Sequence, residues 1–177
     1  MPKLTRSVYV AGPDLFYADS SERYQNIIDT FERLTSGTNV TIELLIPGDD
    51  KFSQDDYPDR YKMAAAIKKH NQNLIRRSDY VLANLSNYPF SDPDQGTIYE
   101  LGYAEAFNRI VVSYRDQPLT YYKDYVKSQV EIGNILSDNS SSFNVEDFGL
   151  PLNLMLMSEI HSSVNTAIKS IINKIKS

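Results

Sequence analysis

The sequence predicts an α/β protein, built on a parallel sheet with helices on both faces. The main observation is an alternation along the chain. Short apolar runs, each closed by turn residues, are followed by longer segments with apolar residues at helical spacing. Strands that alternate with helices in this way form parallel sheets. The second observation is a length of 177 residues without an internal repeat or a linker, which predicts a single domain over residues 1–177.

Five apolar runs are the predicted strands, at residues 7–11, 40–46, 79–85, 109–114 and 159–161. Gly12 and Pro13 close the first run, and Pro47 and Gly48 close the second. These are the residues expected where buried strands stop at turns.

Four segments are the predicted helices. The first is capped by Ser20 or Ser21 and ends at Gly37, the second covers residues 60–77, and the third starts near Gly96. The last carries an apolar stripe, formed by Val164, Ile168, Ile171, Ile172 and Ile175. Between these elements, residues 14–20 are predicted to be loop, 119–136 to have helical character, and 152–157 to form one or two helical turns.

Composition excludes several classes of function. The absence of cysteine removes disulfides, thiolate metal sites and cysteine nucleophiles, and two histidines are too few for a typical zinc site, so no metal is expected. A net charge of −5 argues against nucleic acid as a partner. The chain shows no signal peptide and no apolar run approaching ~18 residues, so we expect no membrane association and a cytoplasmic location.

Ligands of parallel α/β sheets bind at the carboxyl ends of the strands. Four segments are placed to meet there: residues 11–13, 47–50, 85–95 and the loop that follows Tyr114. Phe16 follows the first strand closely and offers a flat apolar surface on which a planar ligand could stack.

Glu100 is the candidate catalytic residue. At ~100° per residue it points into the middle of an apolar arc formed by Leu101, Tyr103, Ala104 and Phe107. A buried carboxylate is costly unless the site needs it, although an acid near a helix N-terminus can also simply complement the dipole. Asp94 is either a second acid of the site or the N-cap of the helix.

Asn71 falls on the inner stripe of the second helix, as a structural amide or as one that faces a ligand. Gly-rich dinucleotide and phosphate-binding loops are absent, so no cofactor is expected. Paired carboxylates without metal or histidine suit glycosyl chemistry, because one carboxylate can attack an anomeric carbon and be displaced again with net retention. Burial should raise the pKa of Glu100, and the helix N-terminus should lower it. A nucleophile attacks in its ionised form, so the effect of the helix dipole must be the larger of the two if Glu100 is the nucleophile.

Four segments resemble those of one enzyme family. They are Gly-Thr-Ile-Tyr-Glu-Leu-Gly-Tyr-Ala at 96–104, Tyr-Val-Ala-Gly-Pro at 9–13, Ser-Asp-Tyr-Val-Leu-Ala-Asn-Leu-Ser at 78–86, and Phe-Gly-Leu-Pro-Leu-Asn-Leu-Met at 148–155. In this order and over nearly the whole chain, they resemble the signatures of the nucleoside 2-deoxyribosyltransferases.

This resemblance implies a flavodoxin-like (Rossmann-like) fold and the exchange of the nucleobase of a 2′-deoxyribonucleoside by double displacement. It places Glu100 on the nucleophile, Tyr9 beside it, and Asp94 on the acid that holds the sugar hydroxyls. It places Asn71 where many members have an aspartate that contacts the base. It implies a homo-oligomer, with the dimer as the minimal active unit and Asn153 donated to the neighbouring site. The remaining predicted substrate-binding residues are Gly12, Pro13, Phe16, Asp49 and Met155.

Two alternatives stay open. A hydrolase of 2′-deoxynucleosides or their 5′-monophosphates would use the same scaffold, but Asp92 and Asp94 would repel a phosphate. A non-catalytic nucleoside-binding sensor would have no need for a nucleophile at Glu100.

Overall fold

The structure is a computed structural model that describes residues 2–48, 52–53, 55, 57–89, 92–118, 122, 124, 126–127 and 146–177. Contacts between Cα atoms divide the chain into two compact units. The first comprises residues 1–117 together with 159–177, and the second comprises residues 118–158.

A five-stranded sheet forms the centre of the first unit, with strand order β2-β1-β3-β4-β5 and every pair parallel. The strands are β1 Leu4–Ala11, β2 Val40–Leu45, β3 Tyr80–Asn84, β4 Ile110–Tyr114 and β5 Glu159–His161. This confirms the predicted parallel α/β sheet, and the order 2-1-3-4-5 is that of flavodoxin-like folds.

β1 begins three residues before the predicted start, because Leu4, Thr5 and Arg6 pair with Val40, Thr41 and Ile42 of the edge strand. Backbone hydrogen bonds define this extension. Since Thr5 is exposed, the apolar pattern of the sequence carries no sign of it.

Within the described residues, four helices lie against the sheet, and they are α1 Ser20–Thr35, α2 Arg60–Arg77, α3 Gln95–Ala106 and α4 Val164–Lys176. The predicted serine cap of α1 is wrong. Asp19 is the N-cap residue, and its carboxylate makes no capping bond but accepts a hydrogen bond from Arg23 Nε at 2.9 Å. The predicted loop after β1 is also partly wrong, because Pro13–Phe16 form a short 3-10 helix. Proline favours a first helical position, since its φ is already helical.

Alternation along β1 decides what each face of the sheet carries. Val8 and Val10 belong to the main apolar core, together with Phe31 of α1 and Ile168 and Ile171 of α4. Tyr9 points to the opposite face, where its hydroxyl meets Glu100 of α3. The helix pair α2 and α3 and the candidate site therefore share one face of the sheet.

The second unit contains the described residues 122, 124, 126–127 and 146–158. Residues 122, 124, 126 and 127 are helical, and the rest of the predicted helical segment 119–136 lies outside the described residues. Gly149 has a φ of 68°, as expected in the predicted turn. The helical turns predicted at 152–157 reduce to one 3-10 helix, Leu154–Leu156.

In the described part of the chain, none of the helices has the length and apolarity needed to cross a membrane.

Candidate active site

The Glu100 carboxylate is fixed by groups from two other elements. Its Oε1 atom accepts a hydrogen bond from the Tyr9 hydroxyl at 2.6 Å and a longer one from Asn71 Nδ2 at 3.4 Å. Tyr9 comes from the centre of β1, Asn71 from α2 and Glu100 from the second turn of α3. Each of these groups lies on a regular element, so the carboxylate has a defined position.

Burial raises the pKa of Glu100 to about 7, although the hydrogen bonds from Tyr9 and Asn71 favour the ionised form. The charge of Asp94 raises this pKa further. The effect of burial on this pKa therefore exceeds any effect of the helix dipole, contrary to what the sequence analysis required of a nucleophile. Glu100 is the sixth residue of α3, and the dipole effect is confined to the first turn. The pKa of the Tyr9 hydroxyl is itself raised by burial and by Glu100, so this hydroxyl stays protonated and donates.

Asn71 also has a buried atom that no described residue satisfies. Its Oδ1 is inaccessible to solvent and accepts no hydrogen bond within the described part of the chain. A buried amide oxygen without a donor is unusual in folded proteins. The amide nitrogen of Asn71 is directed at Glu100, so the unsatisfied oxygen lies on the other branch of the amide.

Asp94 is the N-cap residue of α3, which was one of the two roles that the sequence suggested for it. Its Oδ2 accepts hydrogen bonds from Thr97 N at 2.8 Å and from Thr97 Oγ1 at 3.0 Å. A Cβ at Gly96 would approach the same oxygen to 3.0 Å, so glycine lets the carboxylate close onto the helix end. Asp94 nevertheless also lines the cavity that contains Glu100.

Glu100 opens into two cavities. One of about 260 Å³ lies at the carboxyl ends of the strands, and among its lining residues are the predicted Gly12, Phe16, Asn71, Asp94 and Glu100. The other, of about 350 Å³, lies between α2 and α3 and shares Ile67, Asn71, Gly96 and Glu100 with the first. The larger volume falls at the lower end of the range of small-molecule sites, and the smaller volume lies just below that range.

Three other predicted residues do not line the cavity in the described structure. Tyr9 is fully buried and reaches the cavity only through Glu100. Pro13 is buried in the 3-10 helix, and it is not among the residues that line the cavity. Asp49 lies outside the described residues.

Asn153 and Met155 belong to the second unit. Asn153 caps the 3-10 helix, where its Oδ1 accepts from Met155 N at 3.0 Å and its Nδ2 donates to Glu146 Oε2 at 3.0 Å. These bonds account for a polar residue within this apolar segment. The Met155 side chain is 76% exposed. A role for either residue in a neighbouring site stays a prediction.

The apolar arc predicted on α3 is partly wrong. Leu101 and Ala104 are buried, but Phe107 is 39% exposed because it lies at the C-cap, past the last helical residue. The residues that line the smaller cavity and were missed as site residues include Leu15, Tyr24 and Ile67. Tyr24 and Ile67 fit the helical apolar periodicity, which predicts burial but cannot distinguish a core position from a cavity wall.

Metal ligands are not clustered in the described residues, where no three histidine or acidic side chains come together as a possible metal site. The chemistry available at the cavity is that of a hydrogen-bonded carboxylate with a near-neutral pKa.

Together, the parallel sheet and the carboxylate held at its carboxyl edge define an α/β protein with a candidate active site centred on Glu100. The model of the family described as nucleoside 2-deoxyribosyltransferase matches residues 8–155, from β1 to the 3-10 helix of the second unit. The chain belongs to this family.

Solved structures agree with the fold. The 2-desoxiribosyltransferase from Leishmania mexicana is 29% identical with a TM-score of 0.66, and the match covers 95% of this chain and 97% of that one. A conserved protein from Enterococcus faecalis V583 is 22% identical with a TM-score of 0.58, with coverage of 97% and 98%. The 2-deoxyribosyltransferase from Bacillus psychrosaccharolyticus is 15% identical with a TM-score of 0.51, with coverage of 69% and 81%, so these last two show the fold alone. The comparison with curated proteins finds no match.

Proposed function

We propose that the protein is a nucleoside 2-deoxyribosyltransferase that exchanges the nucleobase of 2′-deoxyribonucleosides through a covalent deoxyribosyl–Glu100 intermediate. The observation that carries this proposal is the Glu100 carboxylate, held by the Tyr9 hydroxyl at 2.6 Å and open to a cavity. Membership of the family supports it as well.

In the first step, a Glu100 oxygen attacks C1′ of the sugar, and the N-glycosidic bond breaks. The departing base takes the bonding electron pair and then a proton. In the second step, a ring nitrogen of another base attacks C1′, loses its own proton and displaces the carboxylate. Two inversions at C1′ give overall retention, as in retaining glycosidases.

The pKa of Glu100 suits both steps. A carboxylate with a pKa of about 7 is a better nucleophile than an ordinary glutamate and is still ionised in a large fraction of molecules at neutral pH. The hydrogen bond from Tyr9 keeps one oxygen of the carboxylate in place. Because the Tyr9 hydroxyl donates this bond, it stabilises the ionised carboxylate, which is the form that attacks the sugar and the form that leaves it.

The cavity has parts suited to a sugar and to a base. Asp94 lines it with a carboxylate that could accept hydrogen bonds from sugar hydroxyls. The Phe16 ring is 63% exposed and offers a stacking surface to a base. Gly12 also lines the cavity, and a Cβ there would approach Asn84 Cβ to 2.7 Å, so glycine is the residue that fits between the cavity and the end of β3.

The proposal is tested by incubating the protein with thymidine or deoxyinosine, with and without adenine, and separating the products by chromatography. A transferase forms deoxyadenosine only when adenine is present. Release of base at the same rate with or without adenine would instead identify water as the acceptor, and monophosphates would then be tested as substrates. A protein that binds nucleosides without turning over either class would be a binding module.

Substitution Asn71→Asp is expected to change the pH dependence of exchange. A carboxylate at this position, near Glu100 Oε1, disfavours ionisation of Glu100 by like-charge repulsion, so the acidic limb of kcat/KM should move to higher pH. Its protonated form can also protonate a departing base, which asparagine cannot do. Rates for purine and pyrimidine donors are measured from pH 5 to 9. Asn73→Asp, on the exposed side of α2, is the matched control, and an unchanged Asn71→Asp profile would make Asn71 structural.

We further propose that two copies of the chain form the minimal active unit and that Asn153 of one copy completes the site of the other. The proposal rests on the family resemblance of the segment 148–155. If Glu100→Ala and Asn153→Ala are each inactive, mixing them should restore about a quarter of wild-type activity. Half of randomly mixed dimers are heterodimers, and each of these carries one intact site. Activity of a monomer, or no recovery after subunit exchange, would contradict a shared site.

A further inference from the structure

We propose that Asp14 and Tyr88 are positioning residues that hold Phe16 in place as the wall of the Glu100 cavity, and that they thereby set the affinity for the nucleobase. The inference rests on the proposed function in one respect, which is that Phe16 is the surface on which the base stacks.

Asp14 anchors the turn that follows β1. It is 2% exposed, and its Oδ2 accepts a hydrogen bond from Asn84 Nδ2 at 2.9 Å and a longer one from the Tyr114 hydroxyl at 3.4 Å. Its Oδ1 pairs with Arg23 Nη1 at 3.3 Å. A buried carboxylate is stable only with such partners. The three partners come from the ends of β3 and β4 and from α1, so Asp14 ties the turn to three elements at once.

This turn has little room to move. A Cβ at Gly12 would lie 2.7 Å from Asn84 Cβ and 2.7 Å from Asp14 Oδ2, so the backbone of the turn is in close contact with the end of β3. Leu15 and Phe16 follow in the same 3-10 helix, and both line the cavity that contains Glu100. The position of the cavity wall therefore depends on the contacts of Asp14.

Tyr88 supports the same wall from the side. Its ring stacks on Phe16 at a centroid distance of 5.8 Å with 19° between the ring planes. Tyr17 packs edge-on against Tyr88 at 5.3 Å, and the Arg23 guanidinium lies 4.1 Å from the centroid of Tyr17. Because Arg23 also pairs with Asp14, the contacts of Asp14 and of Tyr88 form one closed network around Phe16.

The loop after β3 holds Tyr88 itself. Tyr88 N donates to Asp92 O at 2.8 Å, and Asn87 Oδ1 accepts from Arg115 Nη2 at 2.7 Å. Phe16 remains 63% exposed in spite of Tyr88, so part of its ring is available to a planar ligand. Neither Asp14 nor Tyr88 is among the residues that line the cavity, so both act on a ligand through Phe16.

Substitutions at Asp14 or Tyr88 are expected to weaken binding of the base and to leave the rate of the chemical steps nearly unchanged. Glu100, Tyr9 and Asn71 do not take part in the network around Phe16, so kcat should stay within about twofold when Tyr88 is replaced by alanine. The KM for the base and the dissociation constant of adenine should rise about 2- to 10-fold, as expected for loss of one aromatic pair. Asp14→Asn should raise both to a similar extent, because it removes the buried one of the two carboxylates that pair with Arg23.

The test compares adenine binding by calorimetry and base-exchange kinetics for the wild type, Tyr88→Ala, Tyr88→Phe, Asp14→Asn, Phe16→Ala and the double variant Phe16→Ala/Tyr88→Ala. Tyr88→Phe keeps the ring and should behave like the wild type. Once Phe16 is absent, removal of Tyr88 should have no further effect, so the two substitutions should be non-additive. Tyr61→Ala, at a surface tyrosine that is 84% exposed, is the matched control and should change nothing.

Additive effects, or full adenine affinity in a folded Tyr88→Ala protein, would overturn the inference. Thermal unfolding monitors folding of each variant, and Tyr88→Ala decides the case if Asp14→Asn fails to fold. Different results would refute the proposed transferase activity and the positioning role. A wild type that binds adenine but exchanges no base would refute the transferase, while weaker binding by Tyr88→Ala would still support the positioning role. A wild type that binds no adenine would refute both.

Discussion

Replacement of Glu100 by alanine is expected to abolish base exchange and leave the fold intact. The proposed reaction proceeds through a bond between this carboxylate and C1′, and removal of a catalytic nucleophile typically costs about 10⁴-fold or more in kcat. Folding should tolerate the change, because the side chain is half-buried beside a cavity and carries the cost of burying a charge. The thermal midpoint should therefore be unchanged or slightly higher.

Glu105→Ala is the matched control, since Glu105 is an exposed acid of the same helix. Glu100→Gln keeps the shape and can still accept the hydrogen bond from Tyr9, so it separates loss of the nucleophile from loss of packing. Mass spectrometry of protein that is rapidly denatured during turnover, without an acceptor base, should show the addition of one deoxyribosyl group. This adduct should be absent from both Glu100 variants. Near-normal turnover by Glu100→Ala would refute the mechanism.

Tyr9→Phe is expected to have the second-largest effect, and one that depends on pH. The Tyr9 hydroxyl stabilises ionised Glu100, so its removal should raise the pKa of Glu100 above about 7. Since only the ionised form attacks, activity is lost as the pH falls through this pKa. A hydrogen bond to a charged group contributes about 1.5–3 kcal/mol, which corresponds to a shift of about one to two pH units. At pH 6 to 7, kcat/KM should fall about 10- to 100-fold, with a smaller loss at pH 9.

The measurement is the pH profile of kcat/KM between pH 5 and 10. Tyr80→Phe is the control, because it removes a hydroxyl from another buried strand tyrosine, which belongs to the apolar core on the opposite face of the sheet. Equal losses at every pH would mean that Tyr9 positions Glu100 without affecting its ionisation. A wild-type profile for Tyr9→Phe would show that the hydrogen bond has no part in the reaction.

Regular patterns allowed most of the fold to be predicted. The prediction of α2 at residues 60–77 rests on the apolar stripe of Met63, Ile67 and Leu74, and the structure has the same bounds, with Asp59 as the N-cap. Elements that depend on single contacts were harder to predict. Serine is a good capping residue and was therefore predicted as the cap of α1, but Asp19 is the N-cap residue, and its carboxylate accepts a bond from Arg23 and none from the helix backbone.

The centre of the candidate site was identified from the sequence, and its supporting contacts were not. Glu100 was recognised as an acid on an apolar helix face, and Tyr9 by resemblance. Two of the three partners of Asp14 lie 70 and 100 residues away, at Asn84 and Tyr114. An aspartate after Gly-Pro is typical of a turn, so nothing local distinguishes it from a solvated residue. Contacts over such separations become visible only when the sheet brings the strand ends together.

The position of α4 has a consequence for synthesis of the protein. This helix supplies Ile168 and Ile171, both fully buried in the main core, and the adjoining β5 completes the sheet. Both follow the second unit in the chain, so a nascent chain that has already made β1 to β4 still exposes the apolar surface that α4 will cover. Until residues 164–176 leave the ribosome, that surface is open to chaperones or to self-association. The folded sheet and its core thus require the segment that carries β5 and α4 as well as residues 1–117.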